Sequence, residues 1–249
     1  MQPSTPTTPE TKFIVGGYFF IQASKPQDWM NTKVLPPFVF SASRCICEKI
    51  PDAWIFPWNT NPDPDEDRNK YQNALGLNNQ EFEELQNQFD RLLAQEEFGY
   101  PNVFMSRALA EDFYARYFYK LPNVKLVSIS LPEKDLQDFI ERYRPHKYVW
   151  QNGVPTKLRQ YQFVEEDAKR LGFEVLGFDA ADFETLFCSS TTSDDEVLKH
   201  YGINFNQYGL IDKFEETISI VRDIQEEVLR AAGEGYWTAW LMSEYPLNK

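Results

Sequence analysis

Apolar residues recur at three- and four-residue spacing through Asn79–Glu97, where Phe82, Leu85, Phe89, Leu92 and Leu93 are separated by acids and amides. That is the period of a helix lying on a core. Ser106 is placed to cap a second helix carrying Leu109, Phe113 and Tyr117 on one stripe. Pro132 suits the first turn of a third, over "PEKDLQDFIERY", with Leu136, Phe139, Ile140 and Tyr143 inward. The same spacing predicts a helix over Phe163–Leu171, stopped by Gly172, and another from about Asp212 to Ala232, with Phe214, Ile218, Val221, Ile224 and Val228 inward and Gly233 closing it. Trp237, Trp240 and Leu241 also stand at helical spacing and predict a last helix locked onto the core.

Strands are predicted where β-branched and aromatic residues run together. "VKLVSISL" is the clearest of them. Phe13–Ala23 reads as a strand interrupted at Gly16 and Gly17, where a bulge or a close backbone approach is expected. Val39–Cys47, Trp54–Trp58 and "FEVLGF" are further strands, and the proline-rich, acidic "NTNPDPDEDRN" is a surface loop. Residues 1–12, "MQPSTPTTPETK", have too little apolar surface to offset the entropy of ordering and predict a disordered N-terminal tail. Strands come first, then helices, then both interleaved, with no regular βαβ rhythm and no internal repeat. The expectation is an α+β fold over residues 13–249, a mixed or antiparallel sheet with several packed amphipathic helices in a single compact domain.

Composition adds that this core needs no staple. A chain of 249 residues, 42% hydrophobic and 16% aromatic, buries roughly three quarters of its unfolded surface. The three cysteines, Cys45, Cys47 and Cys188, make no complete disulfide framework and point to a reducing, cytoplasmic setting. No apolar run approaches a membrane span, and the first residues lack the pattern of a signal peptide. A formal net charge of −13 opposes generic attraction to nucleic acid or to anionic membrane, and favours a basic protein partner instead.

Candidate chemistry is sparse. In "RCIC" the alternation of a strand would put Cys45 and Cys47 on one face and Arg44 on the other, so no cation activates either thiol, and both are expected to be buried, reduced and unmetallated. Cys188, His146 and His200 show no zinc-ligand spacing, and no cofactor motif is present. Among the acid clusters, Ser193 and Glu196 form a capping box; Asp179 and Asp182, after the strand ending at Phe178, lie where sites tend to form.

One segment runs against the charge of the rest. Between Arg142 and Val164 there are five basic residues and no acid, leaving 20 basic and 38 acidic residues elsewhere. Asn152-Gly153 predicts a two-residue hairpin turn, with Pro155 confining the second strand to a sheet edge. On that reading Arg142, Arg144, Lys147, Lys157 and Arg159 gather beside Tyr148 and Trp150 as a site for an anion or a partner. The alternative is a solvated loop whose cations pair with the chain's own acids.

Two functions follow. The first is a non-catalytic, acidic, cytosolic binding protein that neutralises or regulates a macromolecule, of the inhibitor or immunity type, with acidic helices steering it onto a basic partner. The second is a small-substrate enzyme whose site of carboxylates, tyrosines and Cys45 is dispersed along the chain.

Overall fold

A computed structural model describes residues 11–26, 34–43, 45–47, 49–50, 69, 72–143, 153–179, 182–186, 200–227 and 235–247. Four long strands form the middle of one antiparallel sheet: β1 (Phe13–Ile21), β5 (Lys125–Pro132), β8 (Tyr236–Tyr245) and β6 (Lys169–Asp179), adjacent in that order. Short strands β3 (Phe98–Gly99) and β4 (Val103–Phe104) extend the sheet beyond β1. At the other end β7 (Asp182–Thr185) pairs with β6. A two-residue strand, β2 (Lys49–Ile50), also pairs with β1. Helices α1 (Asn79–Ala94), α2 (Arg107–Phe113, continued by a π-helical turn over Tyr114–Phe118), α3 (Leu136–Arg142), α4 (Val154–Arg159) and α5 (Phe214–Gln225) complete an α+β domain.

The bulge expected in β1 exists and decides which side chains face which layer. Pairing with β5 shifts register between Val15 and Gly17, so Val15 and Tyr18, three apart, face the same layer as Phe20. Ile14, Phe19 and Ile21 enter the other layer. Gly17 adopts φ +145°, and a Cβ there would stand 2.6 Å from that of Val103. Only glycine allows β4 to approach so closely.

Helices α1 and α2 cover the first layer. Phe82, Leu85, Phe89, Leu92 and Leu93 are the buried face of α1, as the spacing predicts. Phe89 meets the rings of Phe98 and Phe113 at centroid distances of 5.0 and 4.9 Å, and Phe20 meets Phe118 at 5.3 Å. Asn78 closes a capping box with Glu81, and Ser106 Oγ accepts from Leu109 N at 3.2 Å as expected for its cap. The second layer gathers Phe139 of α3, Val154 and Leu158 of α4 and Ile220 and Ile224 of α5 against Phe178 and Trp240.

Four expected elements differ. Trp237, Trp240 and Leu241 lie in strand β8, not in a helix: all but the first and ninth of its residues are buried, so the strand shows no alternation to read. Residues 163–168 form a bridge and turns in place of a helix, and Lys169–Leu171 already belong to β6. Gly172 is at a bulge in that strand, with φ +141°. Val39–Cys47 makes one bridge, Ser24 with Val39, and then turns, because Ser43 O accepts from the N–H groups of Ile46 and Cys47 at 3.1 Å each. The predicted hairpin is not formed by its second half: Val154–Arg159 is α4. Gly153 has the positive φ that the Asn-Gly pair signals, +111°, but uses it to enter a helix against Tyr100, whose carbonyl oxygen would be 1.9 Å from a Cβ. Pro155, in the first turn of α4, is where a helix accepts proline. The N-terminal tail to residue 10, the Trp54–Trp58 strand, the acidic loop after it as far as Arg68, and the Ser193–Glu196 capping box lie outside the described residues.

Candidate functional site

Of the basic segment, Arg144, Lys147, Tyr148 and Trp150 lie outside the described residues, as does Asn152. Arg142, at the end of α3, is exposed and pairs with Asp138 one turn earlier, Nε to Oδ1 at 2.7 Å. Arg159 is exposed at the end of α4. Lys157 is not on their surface. It is buried, with 2% of its area exposed, and its Nζ donates to Gln160 Oε1 at 3.0 Å and Gln162 Oε1 at 2.6 Å. The expected convergence of Lys157 and Arg159 on one exposed face is therefore corrected: a helix separates them where the hairpin would have brought them together.

Lys157 instead belongs to a polar cluster, buried at Lys157 and Tyr18 and open to solvent at Gln162 and Asp167, that sequence spacing did not reveal. Its Nζ stands 5.6 Å from the ring centroid of Tyr18, and burial lowers its pKa against the partial offset of Glu165. Tyr18 donates its hydroxyl to Glu165 Oε1 at 3.3 Å, and burial, followed by Tyr245 and Glu165, raises its pKa. Arg107, from the first turn of α2, donates through Nη1 to Glu165 Oε2 at 2.6 Å and Asp167 Oδ2 at 2.8 Å, and through Nε to Glu111 Oε1 at 2.7 Å. Its guanidinium lies 4.8 Å from the ring centroid of Tyr245. A planar fork engaged on three carboxylates and one ring is a fastening between α2, the 162–168 turn and the sheet. Its charges are spent on one another.

A second polar cluster lies around β6. Glu174 is buried and accepts from Ser41 Oγ at 2.5 Å and Ala42 N at 3.0 Å, and burial pushes its carboxyl up to about 7. Lys49 Nζ, also buried, donates to Asp182 Oδ1 at 3.0 Å. Asp182, singled out for its place after a strand, thus anchors β2 to β7. It and Asp179 close the β6–β7 hairpin opposite one another. Cys47 is buried, donates to Val39 O at 3.3 Å, and its thiol is pushed up to about 11 by burial. Cys45, expected to be buried beside it, is exposed, because the chain turns here and does not alternate as a strand. Cys188 lies outside the described residues. Among the described residues no group of three or more His, Cys, Asp or Glu side chains is placed to hold a metal ion, and no helix is long and apolar enough to cross a membrane.

Free charge is concentrated elsewhere. The solvent side of α1 and the turn after it expose Glu81, Glu83, Glu84, Asp90, Glu96 and Glu97, with Arg91 the single cation between residues 79 and 97. None of these six carboxylates takes part in an ion pair among the described residues, in contrast to Glu165, Asp167 and Asp182. The hydrophobic period explains the arrangement: with five positions of α1 committed to the core, its acids have only the outer half of the helix to occupy. Compared with protein-family models, with curated proteins and with solved structures, the chain gives no match from which a family could be assigned.

Proposed function

We propose that this chain is a non-catalytic binding protein that docks on a basic macromolecular partner through the acidic outer face of α1, neutralising or regulating it in the manner of an inhibitor or immunity protein. The observation that carries the reading is the contrast between two sets of carboxylates. Glu111, Glu165, Asp167 and Asp182 are each engaged by a cation, whereas Glu81, Glu83, Glu84, Asp90, Glu96 and Glu97 are exposed together on α1 and the turn after it and enter no ion pair among the described residues. A net charge of −13 extends their field beyond the helix. Such a field accelerates encounter with a positive surface and repels other acidic proteins, nucleic acid and anionic lipid alike.

The test is kinetic. Association with the cognate partner is expected to slow steeply as ionic strength rises, while dissociation changes little. Reversal of Glu83, Glu84 and Asp90 to lysine should lower the association rate by one to two orders of magnitude and leave the melting temperature close to that of the parent, since none of the three touches the core. An association rate indifferent to both salt and charge reversal would refute electrostatic docking through α1.

A further inference from the structure

A groove of about 160 Å³ opens between α5, the 3₁₀ turn Glu133–Asp135 and strand β8. The volume is close to the roughly 150 Å³ known to hold a benzene-sized molecule. Its walls divide by chemistry. Phe214, Ile218 and Val221, on one stripe of α5, supply an apolar side; Ile218, expected to face inward, is 46% exposed there, because α5 turns this part of its stripe to the groove. Across from them stands Asp135. Its Oδ2 accepts from Thr238 Oγ1 at 2.8 Å, while Oδ1 accepts no hydrogen bond from the described residues. Burial raises the pKa of this carboxyl, so it is an acceptor partly stripped of water and still half unpaired. Two cations line the rim. Lys134 Nζ is held 5.1 Å from the ring centroid of Phe214 and makes no hydrogen bond to a described residue. Arg222 donates through Nε and Nη2 to Asp223 Oδ1, leaving Nη1 uncommitted.

We propose that this groove binds a small zwitterion with an apolar body, an α-amino acid of the leucine type, its ammonium on Asp135 Oδ1, its side chain against Phe214, Ile218 and Val221, and its carboxylate toward Lys134 and Arg222. A bare amine would satisfy Asp135 but face two uncompensated cations. A bare carboxylate would satisfy the cations and oppose Asp135. The zwitterion answers both ends, and an aliphatic side chain removes the exposed surface of Ile218 from water.

Calorimetric titration of the full chain with L-leucine, isoamylamine and isovalerate decides the matter. Leucine should bind saturably in the millimolar range or tighter, with each half-molecule at least about tenfold weaker. Asp135→Asn keeps an acceptor for Thr238 and should weaken leucine binding about tenfold or more. Ile218→Ser, at an exposed position, should weaken it several-fold with the melting temperature unchanged, which guards against the possibility that the Asp135 variant folds poorly. No saturable heat with leucine, isoamylamine binding as tightly as leucine, or full affinity in a folded Asp135→Asn or Ile218→Ser variant would each overturn the assignment.

Discussion

Glu174 is the residue at which burial and charge conflict most directly. Its carboxyl is pushed up to about 7 from an ordinary value of 4.5, chiefly by burial, with the bonds from Ser41 and Ala42 and the charge of Lys49 opposing the rise. The native state therefore holds this proton more tightly than the unfolded chain. Its contribution to stability is fully present below about pH 4.5 and is lost as pH rises through about 7, a change of up to about 3 kcal/mol. In Glu174→Gln that loss disappears. Denaturant titrations of parent and variant should diverge progressively across this window, with the glutamine form gaining relative stability as pH rises; parallel curves would place Glu174 in water. Cysteine chemistry separates two neighbours in the same way. Residue-resolved alkylation of the native protein should modify exposed Cys45 quickly and Cys47 only on unfolding. Equal rates at the two would contradict the turn that separates them. Burial of Cys47 was expected from the sequence and burial of Glu174 was not, because the signal for Glu174 is a lone acid inside an apolar strand, "FEVLGF", which reads equally as a solvent-facing position.

At the scale of elements, the periods read α1 and the buried strands β1 and β5 correctly, but misread residues 163–171 and β8 as helices and placed exposed Ile218 inward on α5. In α1 every apolar position predicted to face inward is buried, since one stripe of the helix meets the core and the remainder meets water. Phe89→Ala removes a ring in contact with Phe98, Phe104 and Phe113 and should cost about 3–5 kcal/mol, against about 1 kcal/mol for Asn78→Ala at the cap. Chemical denaturation of both variants checks the order, and a larger loss for the cap would mean that α1 is held mainly by its end. Strand β8 fails the same reading because eight of its ten residues are buried, so Trp237, Trp240 and Leu241 stand in an apolar run without the alternation that marks a strand. Glycine misled for a related reason. Gly153 and Gly172 do adopt positive φ, as a turn or a helix end would require, but they use it at the start of α4 and at a bulge in β6. The residue type specifies the backbone angle, and tertiary contacts choose the element that exploits it.

For the whole molecule, the α+β architecture was legible because strand and helix periods recur without a βαβ rhythm, while the uneven placement of charge along the chain did not translate into the surface it suggested. Lys157 went into the interior once its segment coiled into α4, and the acids of α1 remained outside in a patch that the sequence showed only as one helix face among several. The proposed function therefore turns on docking through α1. Its most direct test compares the parent chain with the Glu83→Lys, Glu84→Lys, Asp90→Lys variant, both immobilised and exposed to a lysate of the source cells across a salt gradient, with both forms first shown to melt alike. One basic protein should be retained by the parent at physiological salt, released as salt rises, and absent from the variant. Retention of the same protein by both forms, with the same salt dependence, would contradict docking through α1.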